Sequence, residues 1–598
     1  MIAKKILISL GAAVLFVVIL IYTRFVGIDW GLPYPMHPDE RNMVVAILGM
    51  TCQEGWSLGC LSPNFYAYGQ FPLFIGYFMS LASSVYAHTM GIDFNTVVIS
   101  LRALSAVSSV ATVFVLIKIA TMLSRRSLAN IWTAGLLFIF SPVFIQFSHF
   151  GTTESLLMFF VILLVYYSIL LIQDNIPLSK YVLFAGLAYG LAVSTKVSSV
   201  FFAVIPIIAI LVLLPNKDQK YSMQSLFFSL VKIAAFSVVV FVVTSPFNLI
   251  DWEPFIHSMN YESEVGIGIY KAFYTRQFEY TIPWIFQFIK TFPYALGIPM
   301  VTFATVGFVL LPWKREYIFL RLSAIALFLP NAYLYAKWSR FYAPVYPIIL
   351  LIGTMFFVQV VDSTLQVWRY ESQVLGILRI LGTLLIILPG VAYLAIYQNP
   401  DVRFMASKWI YTNIQSQSHI LSETANVVDI PMPNPYIDDQ IVAQKNLQPV
   451  SFDFYEVDFN ENIEQDLKHE IDTAKYIFVP SRRIYWNHTC FEQISNFKFQ
   501  ISNFEYTVSP YEEERCEKLQ GTYPILNAYY DDLFSGKLGF TQVTEIGSYP
   551  RIELFGRTII EFPDEPAEET WTVFDHPVIR IFERKSSQVS THMSLRAE

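Results

Sequence analysis

The stretch GTTESLLMFFVILLVYYSILLIQ, residues 151–173, decides the class of this protein. After Glu154 it carries no charged side chain as far as Gln173. About 20 consecutive apolar residues are enough for a helix to cross the hydrocarbon core of a bilayer. The stretch therefore predicts a membrane-spanning helix with a single acid at its start.

The composition of the whole chain agrees with a membrane protein. Of 598 residues, 54% are hydrophobic and 15% are charged, and the mean hydropathy is +0.47. Soluble domains carry about 25% charged residues. The 51 Phe and 35 Tyr residues suit lipid-facing helices with aromatic belts at the membrane interfaces.

Ten other runs have the length of a membrane span. Together with the stretch above, they predict spans at residues 1–24, 99–123, 128–147, 151–173, 181–195, 197–214, 224–245, 294–312, 317–335, 343–361 and 375–397. Residues 1–24 could also be a signal peptide. That run is long and no small-residue cleavage site follows it, so we predict an uncleaved helix. The result is an α-helical polytopic membrane protein with about eleven transmembrane helices.

The apolar run 70–90 is excluded from these spans by the distribution of basic residues. Short cytoplasmic loops are enriched in Lys and Arg. The basic residues that should face the cytoplasm are Lys4, Lys5, Arg125, Arg126, Lys180, Lys217, Lys220, Lys314, Arg315 and Arg369. All of them do so only if residues 25–98 form a single loop outside the membrane, with 70–90 lying along the interface. This map puts the N-terminus in the cytoplasm, and it puts loop 246–293 and the C-terminal domain outside.

The last 200 residues differ from the rest in charge. Residues 399–598 hold 31 acidic and 17 basic residues, a net charge of −14, whereas residues 1–398 hold 16 and 23, a net charge of +7. We predict a transmembrane domain at 1–398 and a soluble extracytoplasmic α/β domain at 399–598, with a helix near 401–417 and strands at 475–481 and 578–584. A domain with this negative charge is not expected to bind nucleic acid, because the phosphate backbone requires a basic surface. The inner loops contain no nucleotide-binding motif, which disfavours an ATP-driven pump or a nucleotide-sugar enzyme.

The four cysteines fall into two pairs, Cys52 with Cys60 and Cys490 with Cys516. Neither pair has the CxxC spacing of a zinc knuckle. Both pairs lie in segments predicted outside the membrane, so disulfides and free buried thiols both fit.

Candidate catalytic acids lie in the predicted outer segments. Asp39 and Glu40 follow His37 just past the first span, and Glu154 follows His149 at the outer start of the 151–173 helix. The adjacent pair Asp39 and Glu40 could be an ordinary surface turn. A carboxylate at a partly dehydrated surface is also well placed to remove a proton from a hydroxyl group. An acid as close to lipid as Glu154 is costly unless it faces a polar space.

Four cations lie at the same predicted membrane face: Arg102, Lys196, Lys337 and Arg340. Singly, each could be an interfacial side chain that extends to water. Together with the acids, they suit a substrate that has a phosphate and a hydroxyl acceptor.

Several motifs carry a resemblance to a known family. They are HPDERNM, NFYAYGQFPLF, LRALSAVSSVATVFVL, SPVFIQFSHFGTTESLLMFF, GLAYGLAVSTKVSSV and KWSRFYAPVYPIILLIG, in this order between residue 37 and about 360. The chain resembles the C-type (GT-C) multi-spanning glycosyltransferases, and among them the protein O-mannosyltransferases and the lipid A aminoarabinose transferases. The tail motifs ASKWIYTNI and TVFDHPVIRIF are similar to the outer domain of prokaryotic members.

The resemblance implies transfer of a sugar from a polyprenyl phosphate to a lipid, protein or glycan acceptor on the outer face, with inversion. Asp39 would be the base, with Glu40 assisting, and Glu154 stands where the family usually has aspartate. Lys196 and Arg340, with Arg102 or Lys337, would bind the donor phosphate. His37, His149 and Tyr342 would support the site. Some relatives use a divalent cation and others do not, so both options stay open.

A polyprenyl-lipid transporter or flippase is the alternative function. Transporters place ionisable groups near the middle of helices or break paired helices in matching halves. Here Lys118, Lys232, Arg321 and Arg379 lie toward the predicted inner ends of their spans, and no internal repeat is evident. A structural anchor of the cell envelope would not require clustered outer acids and bases. Surface chemistry is therefore favoured.

Overall fold

Apolar helices make up the first two thirds of the fold. The computed structural model describes residues 2–50, 57–87, 91–124, 127–214, 221–367, 372–424, 429–490 and 510–585. The α-helices up to residue 398 are Ile2–Phe25, Pro38–Leu48, Phe71–Tyr86, Phe94–Leu123, Leu128–Ile139, Pro142–Ser148, Glu154–Ile172, Leu178–Thr195, Val204–Leu213, Met223–Thr244, Phe247–Ile250, Trp252–Ile267, Phe292–Leu296, Ile298–Leu310, Arg315–Tyr333, Tyr346–Val367, Ser372–Tyr393 and Ala395–Gln398. Short 3₁₀ turns include Val197–Ala203 and Ser339–Tyr342, and a π-helical turn covers Gln287–Thr291.

Several of these helices are long and apolar enough to cross a membrane. Within the described residues, five pass this test: Phe94–Leu123, Glu154–Ile172, Leu178–Thr195, Met223–Thr244 and Gly376–Gln398. Two bent helix pairs raise the number to seven if each pair is one span. The polytopic helical fold is confirmed. The number eleven stays a prediction, although a helix occupies each predicted position.

Two of the predicted spans are not straight. The 128–147 run bends by 53° between Leu128–Ile139 and Pro142–Ser148, where Pro142 cannot donate a helical hydrogen bond. The 294–312 span begins earlier than predicted, because a helical segment from Gln287 to Leu296 joins Ile298–Leu310 at an angle of 113°. Gly297 has φ +83° at this corner.

The run 70–90 forms the helix Phe71–Tyr86, whose 16 residues pack on Phe94–Leu123. At about 1.5 Å per residue it is shorter than the hydrocarbon core, which is about 30 Å thick. Its course along the interface stays a prediction, as does the orientation of the chain. Arg125, Arg126, Lys217, Lys220 and Arg369 lie outside the described residues.

The C-terminal region is an α/β layer built on a five-stranded sheet. Its strands are β1 His419–Thr424, β2 Gln448–Asp453, β3 Tyr476–Val479, β4 Phe540–Ile546 and β7 Ile579–Arg584, in the order β2-β1-β3-β7-β4. β1 is parallel to β2 and β3, whereas β7 is antiparallel to β3 and β4. A separate hairpin pairs β5 Arg551–Leu554 with β6 Arg557–Glu561. The α-helices here are Val402–Asn413, Asp439–Lys445, Glu461–Thr473, Tyr485–His488, Pro510–Thr522 and Pro524–Ser535.

Both faces of the central strand β3 are covered, as its alternating side chains show. In β3, Ile477 and Val479 pack in one core with helix Pro524–Ser535, and Tyr476 and Phe478 pack in another with helix Val402–Asn413. Because both faces are buried, the strand is a continuous apolar run. The predicted α/β class and the strands at 475–481 and 578–584 are confirmed.

The C-terminal region does more than sit on the helices, because part of it enters their core. Ala567, Trp571, Val573 and Phe574 belong to the same buried cluster as the apolar helices. We call residues 564–576 the anchor segment.

The cysteine alternatives are decided for the residues that the structure describes. Cys490 and Cys516 form a disulfide, with Cα atoms 5.2 Å apart. Cys60 is also disulfide-bonded, and Cys52 lies outside the described residues.

Candidate active site

His37 caps the short helix that carries the two adjacent acids. Its Nδ1 accepts hydrogen bonds from the backbone N–H groups of Asp39 (3.2 Å) and Glu40 (3.4 Å) at the start of helix Pro38–Leu48. Burial lowers the pKa of His37, so its ring is neutral and can accept. His37 was predicted to support the site, and here it fixes the direction in which Asp39 and Glu40 leave the helix.

Asp39 forms an ion pair with Arg340. The distance from Oδ2 to Nη1 is 2.8 Å, and the two side chains are 15% and 18% exposed, so the pair is still accessible. Burial raises the pKa of Asp39, but the charge of Arg340 outweighs it, helped by the charge of Lys196 and a hydrogen bond from Tyr68, and the pKa falls below its ordinary value. Asp39 is therefore ionised.

Glu154 and Lys196 make the second contact of the site. Their Oε1 and Nζ atoms are 3.8 Å apart. Glu154 opens helix Glu154–Ile172, where the helix dipole favours a negative charge. Lys196 ends helix Leu178–Thr195 and lies 5.2 Å from the ring centroid of Tyr68 and 5.6 Å from that of Phe341.

A glycine brings Tyr68 to Lys196. The backbone N–H of Gly69 donates to the carbonyl of Thr195 at 3.0 Å. A Cβ atom at position 69 would lie 1.9 Å from the carbonyl oxygen of Ser194. Only glycine permits this approach of residues 68–69 to the end of helix Leu178–Thr195.

The two ion pairs are close enough to interact electrostatically. Lys196 lowers the pKa of Asp39, and Glu154 contributes to the raised pKa of Arg340. We call Asp39, Glu154, Lys196 and Arg340 the acid–base cluster. Sequence reasoning had selected all four, from four separate segments of the chain.

Glu40 and Arg102 form a different kind of pair. Two hydrogen bonds of 2.7 and 2.8 Å join them, and the side chains are 2% and 0% exposed. Arg102 also donates to the carbonyls of Ile28 and Trp30, and Glu40 accepts from the N–H of Gly151 at 2.6 Å. Four of the five N–H donors of Arg102 are engaged in these bonds and its side chain is buried; its predicted role as a ligand of the donor phosphate stays a prediction. The pair ties three segments together beside the cluster.

Breaking this buried pair is expected to cost stability. We expect Arg102→Gln to lower the free energy of unfolding by about 3–5 kcal/mol, because it leaves the charge of Glu40 buried and unpaired. Thermal unfolding of the purified protein in detergent would measure the loss. As a control, Arg379→Gln removes a pair with Asp362 whose side chains are 14% and 25% exposed, and should change stability much less. Equal effects of the two substitutions would contradict the structural role of Arg102.

The remaining predicted residues, His149, Tyr342 and Lys337, are bonded to other parts of the chain. His149 places Nδ1 2.7 Å and Nε2 2.8 Å from the carbonyl oxygens of Ile145 and Val26. The hydroxyl group of Tyr342 bonds to Gln287 and to the carbonyl of Asn331. Lys337 is 4% exposed and donates to the carbonyl of Tyr335, and burial lowers its pKa to about 8. Among the described residues, no hydrogen bond or ion pair joins these three side chains to the acid–base cluster, and their roles in the site stay predictions.

Two residues near the cluster were missed. Tyr68 bonds to Asp39, and burial raises its pKa well above the ordinary value. Glu262 lies on helix Trp252–Ile267; desolvation raises its pKa, and the charges of Lys196 and Arg340 oppose that rise. Tyr68 lies in the motif NFYAYGQFPLF, which was noted only as a whole, and Glu262 was indistinguishable from other charges of loop 246–293.

The anchor segment contacts residues next to Asp39 and next to Arg340. The ring of Phe574 lies 4.3 Å from that of His37, which caps the helix of Asp39. The Glu568 carboxylate accepts from the N–H of Ser339 at 3.0 Å, at the start of the turn that carries Arg340. No sequence signal connected Glu568 with Arg340, because 228 positions separate them.

A buried charge network holds the anchor segment in place. His576 lies between Asp575 (2.5 Å) and Asp564 (2.9 Å). Burial lowers the pKa of His576, but the two carboxylates outweigh it and raise the pKa to about 10, so the ring is charged at neutral pH. Asp575 also accepts from the hydroxyl groups of Tyr397 (2.7 Å) and Tyr393 (3.2 Å). These contacts join the segment to the last apolar helices.

The possibility of a metal site was left open by the sequence. Among the described residues, no group of three or more His, Cys, Asp or Glu side chains is arranged to hold a metal ion.

Comparison with known families supports the resemblance of the helical region. Residues 72–247 match the family described as Dolichyl-phosphate-mannose-protein mannosyltransferase. This segment contains Arg102, Glu154 and Lys196. The chain thus resembles the C-type membrane glycosyltransferases, as its motifs predicted. No curated protein sequence matches it.

Solved structures similar to this one are distant in sequence. ArnT from Cupriavidus metallidurans bound to undecaprenyl phosphate is 12% identical, with a TM-score of 0.46, over 78% of this chain and 92% of that one. The Archaeoglobus fulgidus oligosaccharyltransferase in complex with Zn and sulfate is 12% identical, with a TM-score of 0.39, over 77% and 67%. The mycobacterial arabinofuranosyltransferase AftD is 10% identical, with a TM-score of 0.39, over 95% and 41%.

Proposed function

We propose that this protein is a membrane glycosyltransferase that moves a sugar from a polyprenyl phosphate to a hydroxyl acceptor. The observation that carries the proposal is the acid–base cluster, in which Asp39 contacts Arg340 at 2.8 Å and Lys196 lies nearby. An ionised, accessible carboxylate beside two cations suits a reaction that needs a base and a site for phosphate. The family match over residues 72–247 supports the same donor class.

The reaction would be one displacement at the anomeric carbon. Asp39 accepts the proton of the acceptor hydroxyl. The oxygen of that hydroxyl attacks the anomeric carbon from the face opposite the phosphate. The new carbon–oxygen bond forms as the bond to the phosphate oxygen breaks, and the configuration inverts. Arg340 and Lys196 hold the departing polyprenyl phosphate and stabilise the charge that develops on it. No nucleotide is consumed.

The ion pair in the structure also has a role in this scheme. Arg340 holds the pKa of Asp39 down while no donor is bound. A donor phosphate competes for the guanidinium, and Asp39 then loses part of the charge that lowers its pKa. The carboxylate becomes a stronger base at the moment the donor is bound. Glu154, 3.8 Å from Lys196, would orient that amine.

Glu40 and Arg102 act in this scheme as positioning residues. Their buried bidentate pair connects the Asp39 helix with helix Phe94–Leu123 and, through Gly151, with the turn before Glu154. We place the reaction on the extracytoplasmic side, with residues 1–398 as the glycosyltransferase domain and 399–598 as the extracytoplasmic domain. The N-terminus is then cytoplasmic. The proposal leaves open whether the reaction uses a divalent cation.

The proposal is tested by reconstitution with a defined donor. Purified protein in liposomes is supplied with a polyprenyl-phosphate-linked sugar and with an extract that contains lipid, protein and glycan acceptors. It should release free polyprenyl phosphate and yield a glycosylated product. Mass spectrometry would identify both. Nucleotide-linked sugar should give no product. If the intact donor crosses the bilayer and no polyprenyl phosphate is released, the protein is a transporter and the proposal fails.

The anchor segment provides a further prediction. We expect Glu568→Gln to reduce kcat by about tenfold, because the Ser339 N–H loses its charged acceptor and the turn that carries Arg340 is held less firmly. Steady-state kinetics of purified variants would measure it. Glu568→Asp, which keeps the charge, should recover part of the activity.

Glu565→Gln serves as the matched control, because it disturbs a buried pair with Arg580 in the same region without touching Ser339. It should lower stability while the kcat of the folded fraction stays near that of the unmodified protein. If Glu568→Gln only lowers stability, or Glu565→Gln lowers kcat equally, Glu568 does not position Arg340.

A further inference from the structure

The β5–β6 hairpin, residues 551–561, exposes an unusual amount of apolar surface. Leu554, Phe555 and Ile559 are 56%, 97% and 58% exposed, and every residue of β6 is exposed. The hairpin forms its own two-stranded sheet, apart from the five-stranded one. An isolated two-stranded hairpin is marginally stable in water and needs something to pack against.

The turn of the hairpin places an aromatic ring at its tip. Phe555 and Gly556 have φ values of 51° and 72°, which give the two left-handed residues of a type I′ hairpin turn. Gly556 adopts this conformation without strain, whereas a bulky side chain such as that of Phe555 does so rarely. The folded chain gains almost no burial from this ring, since 97% of it is exposed. The ring therefore has no role in the packing of the protein itself.

The hairpin lies next to a surface that faces lipid. β5 packs against helix Ser372–Tyr393, which belongs to a segment apolar enough to span the membrane. Over residues 376–393 of this helix, where the side chains are described, those that are exposed are all large and aliphatic: Ile377, Leu378, Ile380, Leu381, Leu384 and Leu385. The hairpin thus packs on a helix that presents aliphatic side chains on its exposed surface, as a membrane span does.

We propose that this hairpin is a membrane-contacting element whose tip, Leu554 and Phe555, enters the interfacial region of the nearest bilayer leaflet. Aromatic and aliphatic side chains are favoured at that depth. Arg557, next to the tip, extends its guanidinium to the lipid phosphates, as long cationic side chains do at membrane interfaces. Arg551 is paired with Glu553 at 2.5 Å, which reduces the cost of bringing that acid to the interface.

The contact would hold the C-terminal region at a set distance from the bilayer. Lipid is the occupant that the structure favours, because the hairpin packs on a helix of an apolar span and its exposed tip is aliphatic and aromatic. A second copy of this chain or another protein would also cover apolar surface, and the experiment distinguishes these.

Site-directed spin labelling tests the proposal in the full-length protein reconstituted in liposomes. The starting chain carries Cys52→Ser and Cys60→Ser, so that the remaining cysteines, Cys490 and Cys516, are joined in a disulfide and do not react with a thiol label. A nitroxide is attached to Phe555→Cys or, separately, to Ile559→Cys on the same hairpin. The control label is at Ile441→Cys, 43% exposed on helix Asp439–Lys445, which follows β1 and precedes the edge strand β2. β2 is at the opposite edge of the sheet from β4, the strand that leads into the hairpin.

Oxygen concentrates in the bilayer and a water-soluble nickel chelate stays outside it. We expect the ratio of oxygen to nickel collision rates to be higher at positions 555 and 559 than at 441. An equal ratio at all three positions would overturn the proposal. Spin–spin broadening at 555 that disappears on dilution with unlabelled protein would assign the patch to a second copy of the chain and would also overturn it. Neither result depends on the proposed transfer reaction.

Discussion

Asp39→Asn is expected to lower the rate of sugar transfer by about 10²- to 10⁴-fold, the range that a general base contributes. Asparagine keeps an oxygen that can accept from Arg340, so the contact at 2.8 Å can persist and the helix start is unchanged. What is lost is the ability to take the proton of the acceptor hydroxyl. The measurement is release of polyprenyl phosphate by purified, reconstituted protein at saturating donor.

The control for this substitution is a carboxylate outside the cluster. Glu253, on helix Trp252–Ile267, is exposed, and Glu253→Gln should leave the rate near that of the unmodified protein. Thermal unfolding of Asp39→Asn should match the unmodified protein within about 1 kcal/mol, since the pair is partly exposed. Full transfer by folded Asp39→Asn would remove Asp39 as the base.

Arg340→Gln is expected to weaken use of the donor and to change the pH profile. Removing a charged partner of the phosphate costs about 2 kcal/mol or more, which lowers kcat/KM by roughly 30-fold or more. Arg340→Lys keeps the charge but loses the two-point contact that guanidinium makes with phosphate, so an intermediate loss is expected. Kinetics against donor concentration would separate KM from kcat.

The pH dependence follows from the ion pair. Burial raises the pKa of Asp39 and Arg340 lowers it, with a net fall below the ordinary value. Without Arg340 the lowering influence is lost, so the pKa rises. The acidic limb of kcat/KM, which requires ionised Asp39, should therefore move to higher pH in Arg340→Gln and stay nearer its place in Arg340→Lys. A limb that stays put or moves to lower pH would show that Arg340 does not control this carboxylate.

Arg276→Gln is the matched control for Arg340→Gln. Arg276 pairs with Glu456 at 3.3 Å and not with a residue of the acid–base cluster. Its loss should leave both the donor dependence and the acidic limb unchanged. An equal fall in kcat/KM would point to a general effect of positive charge rather than to contact with the phosphate.

The helical class and the four residues of the acid–base cluster could be selected from the sequence because they rest on local patterns. Apolar runs of about 20 residues predict spans whatever surrounds them, and each of them contains a helix. Acids such as Glu154 stand out because a charge beside a long apolar run is costly without a polar environment. The bends at Pro142 and Gly297 were missed, because hydropathy over a window averages across such breaks.

The roles of individual charges could not be assigned from local patterns. Arg102 and Arg340 look alike in the sequence, each a cation at the end of an apolar run. In the structure Arg102 is 0% exposed and bound to Glu40, whereas Arg340 is 18% exposed and faces Asp39. The different exposure of the two arginines depends on which segments of the chain pack together. Arg102 is enclosed where Gly151 meets the helix that carries Asp39 and Glu40, whereas the Arg340–Asp39 pair stays accessible to water.

Sequence alone thus determined the polytopic helical class, the acidic α/β tail and the candidate acids and cations, since apolar length and charge are properties of single segments. Only the tertiary structure decided that Asp39 pairs with Arg340, that Glu40 and Arg102 are internal, and that the anchor segment reaches the site. These contacts join residues up to several hundred positions apart. Their geometry is set by the packing of the whole chain, because the charge partner of a buried group is chosen by proximity in space and not by spacing along the sequence.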